Sequence, residues 1–247
     1  ALLYGLIEML DFFKVYTRDR YSGLAVPIIL VVSAVIVVVR RRPIKKVAYK
    51  IPGKDLTIEV RVADLLDANA AIVVSTSRTF DTSLTLISPE SLQGQVALRF
   101  FQGNTNEIDK QIDASLKGLK PKSITRSSGK TKQYPIGTVA KVLGGGKTFY
   151  FLAMSEFNDE NNAYSSVQMI DEALEALWKY VKDQGELGDL AISVLGTGRG
   201  RVQLPRKKMI ERIAQSFVDA SSNSIFATRL IIIVHPSDAA KNHVNLF

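Results

Sequence analysis

The chain has 247 residues, 46% hydrophobic and 23% charged, which suits one sizeable core plus an appendage and excludes a disordered polymer. It has no cysteine, so disulfide frameworks and thiolate metal sites are excluded, and its two histidines, His235 and His243, are too few and too near the C-terminus for a metal centre. Of the net charge of +8, the run from Arg40 to Lys50 carries +6, and the near-neutral remainder does not fit a general nucleic-acid binder.

Ala1 to Tyr16 is apolar but for Glu8, Asp11 and Lys14, and reads as the end of a membrane span or as an interfacial helix. Gly23 to Val39 holds no charge over 17 residues, about 26 Å as a helix, and reads as a span. Arg40, Arg41 and Arg42 follow at once, which places the rest of the chain on the cytoplasmic side of a cell membrane and also suits contact with anionic lipid. Ile44 to Asp55, with Pro52 and Gly53, reads as a linker, so residues 1–50 are expected to form an anchor and 51–247 a separate domain.

Within that domain, Thr57 to Val62 alternates as a strand and Ala70 to Ser75 is a β-branched, buried-type strand. A polar loop follows, containing Ser77, Arg78 and Thr82. Ser88 and Pro89 suit the start of a helix running to about Phe101, whose first turns include Ser91, Leu92, Gln93 and Gly94. That start is either an anion site or an ordinary capped helix. Asn106 to Lys117 is amphipathic, with Ile108, Ile112, Leu116 and Leu119 on one face, and Lys120 to Lys132 reads as an exposed basic loop. Gly137 to Leu143 and Thr148 to Ala153 form a predicted hairpin around Gly144-Gly145-Gly146. Ser165 to Gln184 is a helix that turns Val167, Ile170, Leu174, Leu177, Trp178 and Val181 inward.

Leu190 to Leu195 is a short strand, and Gly196, Thr197, Gly198, Arg199 and Gly200 form a glycine-rich turn that Arg201 follows. From Pro205 the helical spacing of Met209, Ile210, Ile213, Ala214, Phe217 and Val218 begins. Strand, glycine loop and helix is an arrangement whose free amides can surround a phosphate, or else a tight connection with exposed arginines. It lacks the Gly-Lys-Ser/Thr of a P-loop and the spacing of GxGxxG. Arg229 to Val234 is a final buried strand. Alternating strands and helices imply a three-layer α/β/α sandwich with a parallel or mixed sheet, whose ligand loops gather at the strand C-termini.

ADLLDANAAIVVSTS and VLGTGRGRVQLP resemble the adenine and second phosphate loops of a macro domain, over about Thr57 to Val234. The resemblance implies that Asp64 holds an adenine, that the Ser88 to Gln95 helix start approaches one phosphate, and that Gly196 to Arg201 wrap a diphosphate and distal ribose. Where hydrolytic macro domains carry asparagines, this chain has Ser75, Thr76 and Ser77. Phe80-Asp81-Thr82, Ile87 to Gln95, Tyr134 to Ala140 and Val194 to Arg201, behind an anchor, are more specifically similar to the macro-like domain of the type II Thoeris effector of bacterial anti-phage defence. That similarity implies a membrane protein that binds histidine-ADP-ribose made by a partner TIR-domain enzyme, then self-associates and damages the membrane.

No cofactor or metal is expected, only the ADP-ribose derivative as ligand. With no cysteine, central histidine or paired acids near the loops, binding is expected over turnover. The alternatives are a membrane-tethered hydrolase of ADP-ribose conjugates with Asp81 as base, and a lipid or nucleic-acid module using Lys120 to Lys132 and Arg40 to Lys50.

Overall fold

The computed structural model describes residues 2–14, 27–37, 45–158, 162–196 and 202–241. Two compact units emerge, Ala1–Ile44 and Lys45–Phe247.

The first unit contains α1 (Leu2–Phe12) and α2 (27–37). Phe12, Leu30 and Val31 are all exposed, an apolar surface of the kind that meets lipid or another protein. No helix among the described residues is long and apolar enough to cross a membrane. Of the segment expected to span, residues 27–37 are helical, while residues 23–26, 38 and 39, and Arg40 to Arg42, lie outside the described residues.

The second unit is built on a mixed sheet. Its strands are β1 (Lys46–Lys50), β2 (Thr57–Val62), β3 (Ala71–Ser77), β6 (Val139–Gly144), β7 (Lys147–Phe157), β8 (Ala163–Tyr164), β9 (Asp189–Ser193) and β10 (Arg229–Val234). The order is β1-β2-β10-β9-β3-β7-β6, with β8 added to β7. From β2 to β7 every pairing is parallel, and the pairings of β1, β6 and β8 are antiparallel. A separate two-stranded ribbon joins β4 (Lys122–Ser123) to β5 (Lys132–Gln133).

Strand alternation sorts side chains into two cores. Val73, Tyr150, Leu152, Ile192 and Ile232 face one core, with Ile170, Leu174 and Trp178 of α5 (Val167–Gln184) and Met209, Ile213 and Phe217 of α6 (Arg206–Ala220). Ile72, Val74, Phe149, Phe151 and Ile231 face the other, with Val96 and Phe101 of α3 (Leu92–Phe101) and Ile108 and Ile112 of α4 (Thr105–Ser115). This is the expected three-layer arrangement. Trp178 is core, 2% exposed, with its indole N–H donated to Ser216.

Four expectations need correction. The supposed linker holds β1, an edge strand that Lys46 ties to the buried Glu59 at 3.0 Å. The cap of α3 is Ser91, whose hydroxyl accepts from the Gly94 amide, and Ser88 and Pro89 form the preceding turn. Leu119 is exposed because Gly118, at φ 95°, ends the helical path before it. The basic segment from Lys120 is no simple exposed loop: it forms the β4–β5 ribbon and sends Arg126 and Lys130 against the body of the domain.

Candidate functional site

The parallel strands bring their C-terminal ends to one edge, and there a cavity of about 600 Å³ opens. Its walls are Ser75, Thr76 and Ser77 from β3, Met154, Ser155 and Phe157 at the end of β7, Ser193 at the end of β9 with Val194, Leu195 and Gly196 after it, and the turn leading into α3. Asp238 of α7 (Pro236–Lys241) closes one side, paired with Arg206 at 3.0 Å. That volume lies within the range of small-ligand sites.

The start of α3 supplies the chemistry expected of an anion site. The Ser91 hydroxyl donates to the Ser88 carbonyl at 2.6 Å and accepts from the Gly94 amide at 3.1 Å. The amides of Leu92 and Gln93 have no hydrogen-bond partner among the described residues, and both residues line the cavity. Orphan amides at a helix N-terminus, with the positive end of its dipole, favour an anion. The Gly196 amide is likewise without a partner among the described residues, and Gly196 lines the same cavity at φ 69°. Its positive φ and its packing against Ile170 and Val202 both require glycine. Thr76 adds a buried hydroxyl with no partner among the described residues.

Of the residues singled out in the sequence, Ser77, Ser91, Leu92, Gln93 and Gly196 are brought together on the cavity wall. Thr197, Gly198, Arg199, Gly200 and Arg201 lie outside the described residues. Asp64, Arg78, Thr82 and Gly94 stand off the wall. Asp64 caps the short helix Leu65–Asp67, accepting from the Leu66 amide at 2.9 Å, and pairs with Arg99 at 2.9 Å. Burial raises its carboxyl pKa, but the Leu66 amide and Arg99 outweigh that and hold it below the usual value. Thr82 donates to Asp109. Gly94 packs under the Ser88–Pro89 turn, where a Cβ would stand 2.3 Å from the Ser88 carbonyl oxygen.

Arg78 belongs to a smaller polar cavity of about 320 Å³ that shares Ser77 and Phe157 with the first. It donates to the Tyr134 carbonyl at 2.7 Å and pairs with Glu156. The Tyr164 hydroxyl, and then Arg78, hold the Glu156 carboxyl below its ordinary pKa against the effect of burial.

Asp81, weighed as a base, is 2% exposed and lines neither cavity. Its carboxylate accepts from the Thr79 hydroxyl at 2.5 Å, Arg126 at 2.7 Å and the Lys130 amide at 2.6 Å. A carboxylate so engaged stabilises a loop and is poorly placed to take a proton from a ligand. No group of metal-ligating side chains occurs among the described residues.

Sequence reasoning missed the contributions of Ser155, Phe157 and Asp238. Phe157 and Ser155 end a strand expected only as half of a hairpin. Pairing of that strand with β3, in parallel, is what carries its end to the cavity.

No curated protein sequence matches the chain. Among solved structures, the Oceanobacillus iheyensis macrodomain with ADP is similar over 81% of this chain and 95% of its own, at 13% identity and a TM-score of 0.52. The same macrodomain with MES bound gives 81% and 96%, 12% identity and a TM-score of 0.53. The Trypanosoma brucei macrodomain in complex with ADP-ribose gives 78% and 71%, 9% identity and a TM-score of 0.51. At such identities the likeness establishes the fold. The family described as Thoeris protein ThsA, Macro domain, matches residues 58–235, well over half of the chain, so the protein belongs to that family.

Proposed function

We propose that the second unit is a receptor for an ADP-ribose-containing nucleotide, bound in the 600 Å³ cavity with its diphosphate against the α3 start and the Gly196 turn. The observation that carries this reading is the set of unpartnered amides at Leu92, Gln93 and Gly196 around one cavity at the parallel strand ends. Relatives of the same fold solved with ADP and with ADP-ribose support the ligand class.

The signal is histidine-ADP-ribose from a TIR-domain enzyme. Its binding shifts a self-association equilibrium, because the ligand prefers one state of the chain. The 23–39 segment and the basic run after it anchor the chain in the cell membrane with the receptor unit in the cytoplasm, and assembly there disrupts the bilayer.

Calorimetric titration of the purified full chain with ADP-ribose and histidine-ADP-ribose tests the receptor reading; silence with both ends it. Sedimentation with and without the bound ligand tests self-association. Steady release of a product over time would favour the hydrolase alternative, whose proposed base Asp81 is already committed to three donors.

A further inference from the structure

Behind Ser77 lies a chain of polar groups in which the position of each proton can be worked out. Ser77 lines both cavities, and its hydroxyl lies 3.0 Å from that of Thr79, which lines the smaller one. The Thr79 hydroxyl is 2.5 Å from Asp81 Oδ2, and the Arg126 Nη1 group donates both to that carboxylate and, at 3.2 Å, to the Thr79 oxygen. A carboxylate paired with a guanidinium only accepts, so the single hydroxyl proton of Thr79 points at Asp81. A guanidinium only donates, so one lone pair of Thr79 is taken by Arg126. The remaining lone pair of Thr79 then receives the proton of Ser77.

From this order we infer that Ser77 faces the cavity as an obligate acceptor. It selects a ligand donor, a sugar hydroxyl in the nucleotide class proposed above, on which this inference rests, and it repels a phosphate oxygen. Asp81 and Arg126 are the positioning residues that impose the order.

The surroundings keep the order from relaxing. Phe80 sits at φ 51°, uncommon for a bulky residue, fully buried and edge-on to Tyr134. The Phe80 carbonyl accepts from Lys130 Nζ, and the Asp81 carbonyl accepts from Gln93, itself on the cavity wall. Gly129, at φ 89°, lets the basic segment close down, since a Cβ there would stand 2.6 Å from Asp81 Oδ1. Arg126 also lies 4.8 Å over the ring of Phe157, which with Ser77 lines both cavities.

The test is calorimetric titration of the full chain and its Ser77→Ala variant with ADP-ribose and with inorganic pyrophosphate, which carries no sugar hydroxyl. Ser77→Ala is expected to weaken ADP-ribose about tenfold and leave pyrophosphate unchanged or slightly tighter. Equal losses for both probes, or no loss for ADP-ribose, would overturn the inference while leaving the receptor reading intact. If the unaltered chain binds neither ADP-ribose nor histidine-ADP-ribose, both fall. Asp81→Asn, whose amide can donate to Thr79 and reverse the order, should reproduce the Ser77→Ala loss. A ligand-free check is the Thr79 hydroxyl proton, expected as a slowly exchanging resonance that Asp81→Asn removes; rapid exchange in the unaltered chain would contradict the order.

Discussion

Replacing Gly94 by alanine tests how the α3 start is held. In an exposed helix the change would stabilise, because glycine costs about 0.8–1 kcal/mol relative to alanine. Here the added Cβ would lie 2.3 Å from the Ser88 carbonyl oxygen, 2.8 Å from Pro89 Cα and 2.9 Å from the Pro89 carbonyl oxygen. All three are main-chain atoms, so no side chain can swing aside. Relief requires the Ser88–Pro89 turn to move, and the Ser88 carbonyl already accepts from the Ser91 amide at 3.0 Å and the Ser91 hydroxyl at 2.6 Å. Overpacking costs about 1–3 kcal/mol, and an approach of 2.3 Å to main chain belongs at the upper end, about 2–3 kcal/mol, so after the gain in helix propensity the expected net loss is about 1–2 kcal/mol. For a unit of this size that lowers the Tm by about 2–8 °C in a thermal melt. Nucleotide affinity should fall with it, because the Leu92 and Gln93 amides ride on the displaced turn. An unchanged or raised Tm would refute the claim that close main-chain approach positions the helix start.

Ser91→Ala removes the cap and should cost about 1 kcal/mol in a denaturant titration, together with weaker nucleotide binding. Gly196→Val demands a left-handed backbone from a β-branched residue beside Ile170 and Val202, and should lower stability by about 1–2 kcal/mol, readable in the same titration. Burial raises the Glu59 pKa, but Lys46 first, then Arg229 and Arg61, outweigh it and hold the carboxyl below 4.5. Its folded pKa is depressed, so its contribution to stability is complete above about pH 4.5 and disappears as pH falls through the lower folded value. Glu59→Gln should therefore destabilise the chain at neutral pH by about 1–3 kcal/mol and flatten that acid limb of the stability profile.

The sheet was readable where one kind of residue crowds a short run. AIVVS and LIIIV admit little besides buried strands, and β3 and β10 lie there. The opposite holds for KVAYK, whose lysines and full exposure match a linker. Only pairing with β2, and the Lys46–Glu59 contact across it, makes it a strand. Ser88-Pro89 and Ser91 both carry helix-start chemistry. The choice between them depends on Gly94 closing onto the Ser88 carbonyl, a contact in three dimensions.

The same limit governs the site. Ser77, Ser91 and Gly196 could be singled out because hydroxyls and glycines stand between regular elements, and the parallel sheet brings those connections together. Asp81, Arg126 and Lys130 form their network across more than forty residues of sequence, from a segment whose composition suggested only a solvated basic loop. Asp64, placed at the adenine by family resemblance, meets Arg99 through a pairing that neither residue's neighbours reveal.

The central claim is that unpartnered main-chain amides of Leu92, Gln93 and Gly196 grip a diphosphate. Amide chemical shifts of the isotope-labelled full chain, followed while ADP-ribose is added, test it directly. The account predicts saturable shifts concentrated at those three amides, with the Gly188 and Gly185 amides on the far side of β9 and α5 unmoved. Unchanged positions for all three at saturating nucleotide, or shifts confined to other surfaces, would contradict it.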